Sequence, residues 1–133
     1  MRLSSGPMKR RPFLLILVAS ASIVASGACL APTLPLPPPE EPLSIQPAGA
    51  DGQWTIQGNC TQGALVLLTN ERTGAIVGFE DRALDGRYAV EMTAEACDPA
   101  TVFELVGDDV STATPFLIRE VLNGIEQTAC PGD

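Results

Sequence analysis

The chain contains no histidine. That excludes His-based catalytic triads, imidazole metal sites and the usual general base near neutral pH. Lysine is almost missing: Lys9 is the only one, and none follows it. Beyond residue 28 the cations are Arg72, Arg82, Arg87 and Arg119, and they form no basic stripe. Phosphate neutralisation needs such a stripe, so nucleic acid is excluded as a partner. Long apolar runs are absent as well; the longest falls short of the ~20 residues that span hydrocarbon.

What is present begins with an ordered front end. Met8-Lys9-Arg10-Arg11 is a short basic patch, and Phe13 to Val24 is apolar apart from Ser20 and Ser22. The small residues Ala25-Ser26-Gly27-Ala28 follow, and then Cys29. This is the order of a bacterial secretory leader. A cysteine directly after small residues resembles the lipobox of bacterial lipoproteins. The resemblance implies cleavage before Cys29, a diacylglycerol thioether on its sulfur, and acylation of the new amino terminus by chains of the palmitate kind. Ser26 departs from the Leu, Val or Ile favoured three residues before the cysteine. The alternative is ordinary cleavage after Ala28, which leaves a soluble secreted protein with Cys29 free. Leu30, rather than Asp, follows the cysteine, which in that family implies outer-membrane sorting. Each buried methylene contributes about 0.8 kcal/mol, so two or three chains anchor a small protein essentially permanently. The membrane is then a partner through the lipid alone.

Loss of residues 1–28 leaves four arginines against sixteen acids, a formal charge of −12. Such acidity repels anionic headgroups and favours solubility. An exported protein keeps disulfides. With Cys29 lipidated, Cys60, Cys97 and Cys130 remain, enough for one bridge and one leftover thiol. Their wide spacing does not resemble a zinc site.

Residues 29–48 read as the lipidated cysteine and a linker, rich in proline from Pro32 to Pro47. Proline removes donors and fixes φ, which disfavours helix and central strand and suits polyproline II. Residues 49–121 change to short alternating runs separated by turns. Strands are expected over Trp54–Gln57, Ala64–Thr69, Ala75–Glu80, Arg87–Met92, Thr101–Val106 and Pro115–Val121. Ala64–Thr69 is apolar enough to be central and buried on both faces. Short helical turns fit Glu91–Ala96 and Leu122–Ala129. Residues 122–133 are the C-terminal tail. Turns every 8–12 residues predict an all-β sandwich of six to seven strands. The expected core is Trp54, Ile56, Val66, Leu68, Tyr88, Val90, Phe103, Leu105, Phe116 and Ile118.

The runs Gly58-x-x-x-x-Gly63-Ala64-x-Val66-x-Leu68, Thr73-Gly74, Asp85-Gly86-Arg87-Tyr88-x-Val90 and Gly107-x-x-x-Ser111 resemble the small Ig-like, or carboxypeptidase-regulatory-like (prealbumin-like), sandwiches of bacterial surface proteins. The resemblance implies a spacer, adhesion or accessory module rather than a catalyst. It brings no catalytic residues and no cofactor. Cys60 and Cys97 depart from the common pattern.

Strand parity, with six strands running up and down, puts the Cys97 loop and the tail at one end and the Cys60 loop at the other. Bridging needs Cα atoms within about 7 Å. Parity therefore favours Cys97 with Cys130, and Cys60 with Cys97 is the alternative. The same parity gathers Glu80, Asp81 and Asp85 near Asp108 and Asp109. Asp81, Asp85, Asp108 and Asp109 form a candidate Ca²⁺ set, although the spacing matches no EF-hand and solvated turn acids are the commoner outcome. Glu104 lies between Phe103 and Leu105, so alternation turns it outward and leaves it no catalytic role. Trp54 alternates with Ile56 and reads as core rather than a sugar platform. The expectation is a non-catalytic, lipid-anchored envelope protein whose sandwich serves structural or protein-binding use, an envelope protein being a candidate partner. A calcium- or carbohydrate-binding module is the alternative.

Overall fold

Alternating apolar and polar residues fold this chain into strands and turns. The computed structural model describes residues 34–132. The leader, Cys29 and Pro32 lie outside that range. Ten strands follow in order: β1 (Ser44–Pro47), β2 (Gln53–Asn59), β3 (Leu65–Asn70), β4 (Ile76–Glu80), β5 (Arg87–Thr93), β6 (Pro99–Val106), β7 (Asp109–Val110), β8 (Thr114–Leu117), β9 (Val121–Leu122) and β10 (Ile125–Glu126). They form two antiparallel sheets. One has the order β10-β9-β1-β2-β5. The other has the order β4-β3-β6-β7, with β8 also paired to β6.

The inner faces meet in a single apolar core. Ile45, Ile56, Tyr88, Val90 and Met92 come from the first sheet, and Val66, Leu68, Ala100, Val102 and Phe116 from the second. Each fully buried aliphatic side chain contributes about 1.5–3 kcal/mol. Tyr88 lies across the sheet opposite Gly58. A Cβ at Gly58 would sit 2.6 Å from the Tyr88 hydroxyl, so only glycine leaves room for the phenol.

The all-β sandwich arrangement is present, with more strands than the six to seven expected. The extra pairing comes from segments read as linker, turn and tail. Ser44-Ile45-Gln46 alternates, and Ile45 is buried in the core, so β1 pairs with both β2 and β9. The prolines around it do no harm. Pro47 ends the strand, where a missing donor costs little, and Pro39 and Pro42 are themselves buried against the domain. Ordered structure thus begins ahead of residue 49. No described residue is helical: 91–93 and 125–126 are strand. The expected strand 115–121 divides, because the chain crosses from β8 in one sheet to β9 in the other.

Two further expectations are corrected. Ala64–Thr69 is central, between β4 and β6, but only one of its faces is buried: Val66 and Leu68 are inside, while Leu65 is 38% exposed. Phe103 and Leu105 do not join the core; they are half-buried on the opposite face of β6.

Candidate functional site

β6 departs furthest from the pattern that composition favours. Its sequence is Pro-Ala-Thr-Val-Phe-Glu-Leu-Val. Pairing with β3 sets Val66 against Glu104 and Leu67 against Phe103. Val66 faces the core, so Glu104 does too, and it is 2% exposed. The outward orientation expected from its apolar neighbours is therefore wrong. Hydrogen bonds explain why. The Thr61 backbone N–H donates to Glu104 Oε2 at 3.1 Å, and the Thr61 hydroxyl donates to Oε1. The Glu104 N–H donates to Ser111 Oγ at 2.9 Å, and the Ser111 N–H returns a bond to the Glu104 carbonyl at 2.9 Å. A buried carboxylate is tolerated only when it is bonded in this way.

Glu104 lines a cleft of about 230 Å³ with Asn59, Cys60, Thr61 and the segment from Pro37 to Glu40. Burial, with the nearby carboxylates of Asp81, Glu104 and Asp85, pushes the Cys60 thiol up to about 11. It stays protonated at neutral pH and is a poor nucleophile. Burial likewise raises the Tyr88 phenol, aided by Cys60 and Glu104. Its hydroxyl has no hydrogen-bond partner among the described residues.

Turning Glu104 inward turns its neighbours outward. Register places Leu65, Leu67, Phe103, Leu105 and Val110 side by side on the outer face of the second sheet, with Ile76 at its margin. Ile76 is 64% exposed and Val110 59%. Gly78 lies opposite Leu67, and Leu67 Cδ2 comes within 3.1 Å of where a Cβ would stand, so the glycine lets the leucine lie flat. Acids surround this surface. Glu80 stands beside Leu65, Asp108 and Asp109 lie past Leu105, and Glu71 accepts from the Thr101 hydroxyl at 2.8 Å. Arg82 is tied to Glu80 at 3.0 Å.

The candidate calcium residues share one end of the sandwich, since Glu80 and Leu105 both flank Leu65. Asp81 is buried, and its carboxylate accepts from the N–H groups of Gly63 at 3.0 Å, Gly86 at 2.9 Å and Asp85 at 3.3 Å. These bonds, that of Gly63 foremost, lower its pKa from the ordinary value. Asp85 accepts from the Arg87 N–H at 3.1 Å. Asp108 lies in the separate β6–β7 turn and Asp109 opens β7. Among the described residues no three acids or thiols gather in a way that holds a metal. Asp81 acts as a loop clamp.

At the other end Cys97 is bonded to Cys130, with S–S 2.08 Å and Cα–Cα 5.6 Å, while Cys60 is free. Asp98 follows directly. It accepts from Asn70 Nδ2 at 3.0 Å, from the Glu95 N–H at 2.8 Å and from the Arg72 guanidinium. The Arg72 hydrogen bonds hold the Asp98 carboxyl far below its ordinary value. Both residues fix the entry into β6. Trp54 is half-buried, packed against the core, and donates from Nε1 to the Ala94 carbonyl at 3.1 Å.

A groove of about 560 Å³ opens between the sheets over Ile45, Phe116 and Val121, rimmed by Glu40, Glu41 and Glu71. No helix among the described residues is long and apolar enough to cross a membrane. Comparison of the chain with family models, curated proteins and solved structures finds no match.

Proposed function

We propose that this chain is an exported, lipid-anchored cell-envelope protein whose Ig-like sandwich serves protein binding without catalysis. The Cys97–Cys130 bond carries the export reading, because such bonds persist in oxidising compartments. The leader and Cys29, which lie outside the described residues, supply the route and the anchor. The all-β class and the paired sheets support a module of the Ig-like kind. The absence of histidine and the protonated Cys60 thiol support a binding role over a hydrolytic one. The apolar outer face of the second sheet supports protein binding in particular, since contiguous exposed apolar surface marks interaction sites.

Mass spectrometry of the protein taken from native membranes tests the anchor. The expected N-terminus is Cys29 with a diacylglycerol thioether and an acylated amine. An intact chain that retains residues 1–28, with every thiol reduced, would sink the proposal.

A further inference from the structure

Resting on the reading of the domain as a protein-binding module, we propose that the outer face of the β4-β3-β6-β7 sheet docks a protein surface that is apolar at its centre and carries Lys or Arg at its margins. Two features of the face lead there. Leu65, Leu67, Phe103, Leu105 and Val110 form an apolar centre, with Leu65 38% and Val110 59% exposed and Leu67, Phe103 and Leu105 half-buried. Its perimeter is acidic. Among the described residues Glu71, Asp108 and Asp109 have no arginine paired to them; Arg82 is held by Glu80, and Arg72, next to Glu71 in the β3–β4 turn, is held by Asp98.

The apolar centre is a consequence of register. A shift of one residue in β6 would bury Phe103 and Leu105 and expose Glu104. The chain instead holds the carboxylate inside with Thr61, pins the Glu104 backbone N–H on Ser111, and leaves two large apolar side chains on the outer face. Departures from local consistency of this kind concentrate where function demands them.

Charge selects among occupants. A second copy would bring the same acidic margin against itself, on a chain whose residues past 28 hold sixteen acids and four arginines. Anionic headgroups would meet the same repulsion. A partner with a basic margin gains attraction at the edge and burial at the centre.

Site-specific photo-crosslinking in cells that produce the full-length protein natively tests this. Benzoylphenylalanine replaces Leu65, Ile76 or Val110 on this face, and Gln57 or Glu91 on the outer face of the other sheet. All are surface positions, which the fold tolerates. Protein adducts are expected from the first set and none from the second, with the captured peptide apolar and flanked by Lys or Arg. In isolated envelopes, raising NaCl from about 50 to 500 mM should lower the yield about threefold or more. Asp108→Asn with Asp109→Asn should do the same. A yield unmoved by salt and by those substitutions overturns the basic margin. Adducts to lipid or to a second copy overturn the class of partner. Protein adducts from Gln57 and Glu91 alone overturn the surface but leave a binding module standing. No protein adduct from either face overturns the module as well.

Discussion

The two sheets pack the same way inside and differ outside. The outer face of the first sheet carries Gln46, Thr55, Gln57, Asn59, Arg87, Glu91 and Thr93, with the small Ala89 among them and large apolar residues at its far edge, Leu122 and Ile125. The outer face of the second carries Leu65, Leu67, Phe103 and Leu105. One face follows the usual rule of apolar inside and polar outside. The other is apolar on both sides and hides an acid within. Core formation accounts for the first pattern. It does not account for the second, where Leu65 is 38% exposed and Leu67, Phe103 and Leu105 are only half-buried, outside the core.

Substitutions on the two sides of one strand can break this contrast. Leu68→Ala on the inner face should cost about 3–4 kcal/mol, a transfer loss plus a cavity. Leu67→Ala, its outward neighbour, should cost about 1 kcal/mol or less, in urea unfolding of the oxidised protein. Equal costs would mean that the outer leucine is structural.

The anchors of β6 sharpen the contrast, since they set which residues face out. Cys130→Ser opens a loop closed across a separation of 33 residues and should cost about 3.7 kcal/mol by the chain-entropy argument. Asp98→Asn should cost about 1–2 kcal/mol, because Arg72 and Asn70 lose a charged acceptor. The folded carboxyl titrates below the unfolded one. Its stabilisation is therefore fully present above the unfolded carboxylate value of about 3.9 and is lost as the pH falls toward the lower folded value. The gap between wild type and Asp98→Asn should hold from pH 7 to 5 and narrow below about pH 4. A gap that stayed flat into acid would contradict the Arg72–Asp98 pairing.

Glu104→Gln keeps an acceptor for Thr61 and should cost only about 1 kcal/mol. Phe103→Thr, on the outer face, should fall within about 0.5 kcal/mol of wild type in the same unfolding assay. A large loss there would show that Phe103 packs inside.

Sequence patterning carried the class and most of the strands, because Trp54 to Gln57 and Arg87 to Met92 alternate cleanly. It failed where two registers compete. In Val102-Phe103-Glu104-Leu105, alternation alone permits either face inward, and apolar size argues for Phe103 and Leu105. The carboxylate's partner, Thr61, comes from a loop whose approach no local pattern reveals. The one hint was the Leu65–Leu68 run, apolar at every position. β1 escaped notice because its prolines read as linker, although Ser44-Ile45-Gln46 alternates. Asp81 looked like a free turn acid, and only the folded loop shows its carboxylate bound by backbone N–H groups.

Hydroxyl-radical footprinting of the isolated protein, read by mass spectrometry, addresses the register of β6 most directly. Phe103, Leu105 and Leu65 should label several-fold faster, relative to their intrinsic reactivity, than Val66, Leu68 and Val102. Protection of Phe103 and Leu105 alongside Val66 would place them in the core, expel Glu104, and remove the apolar face on which the account depends.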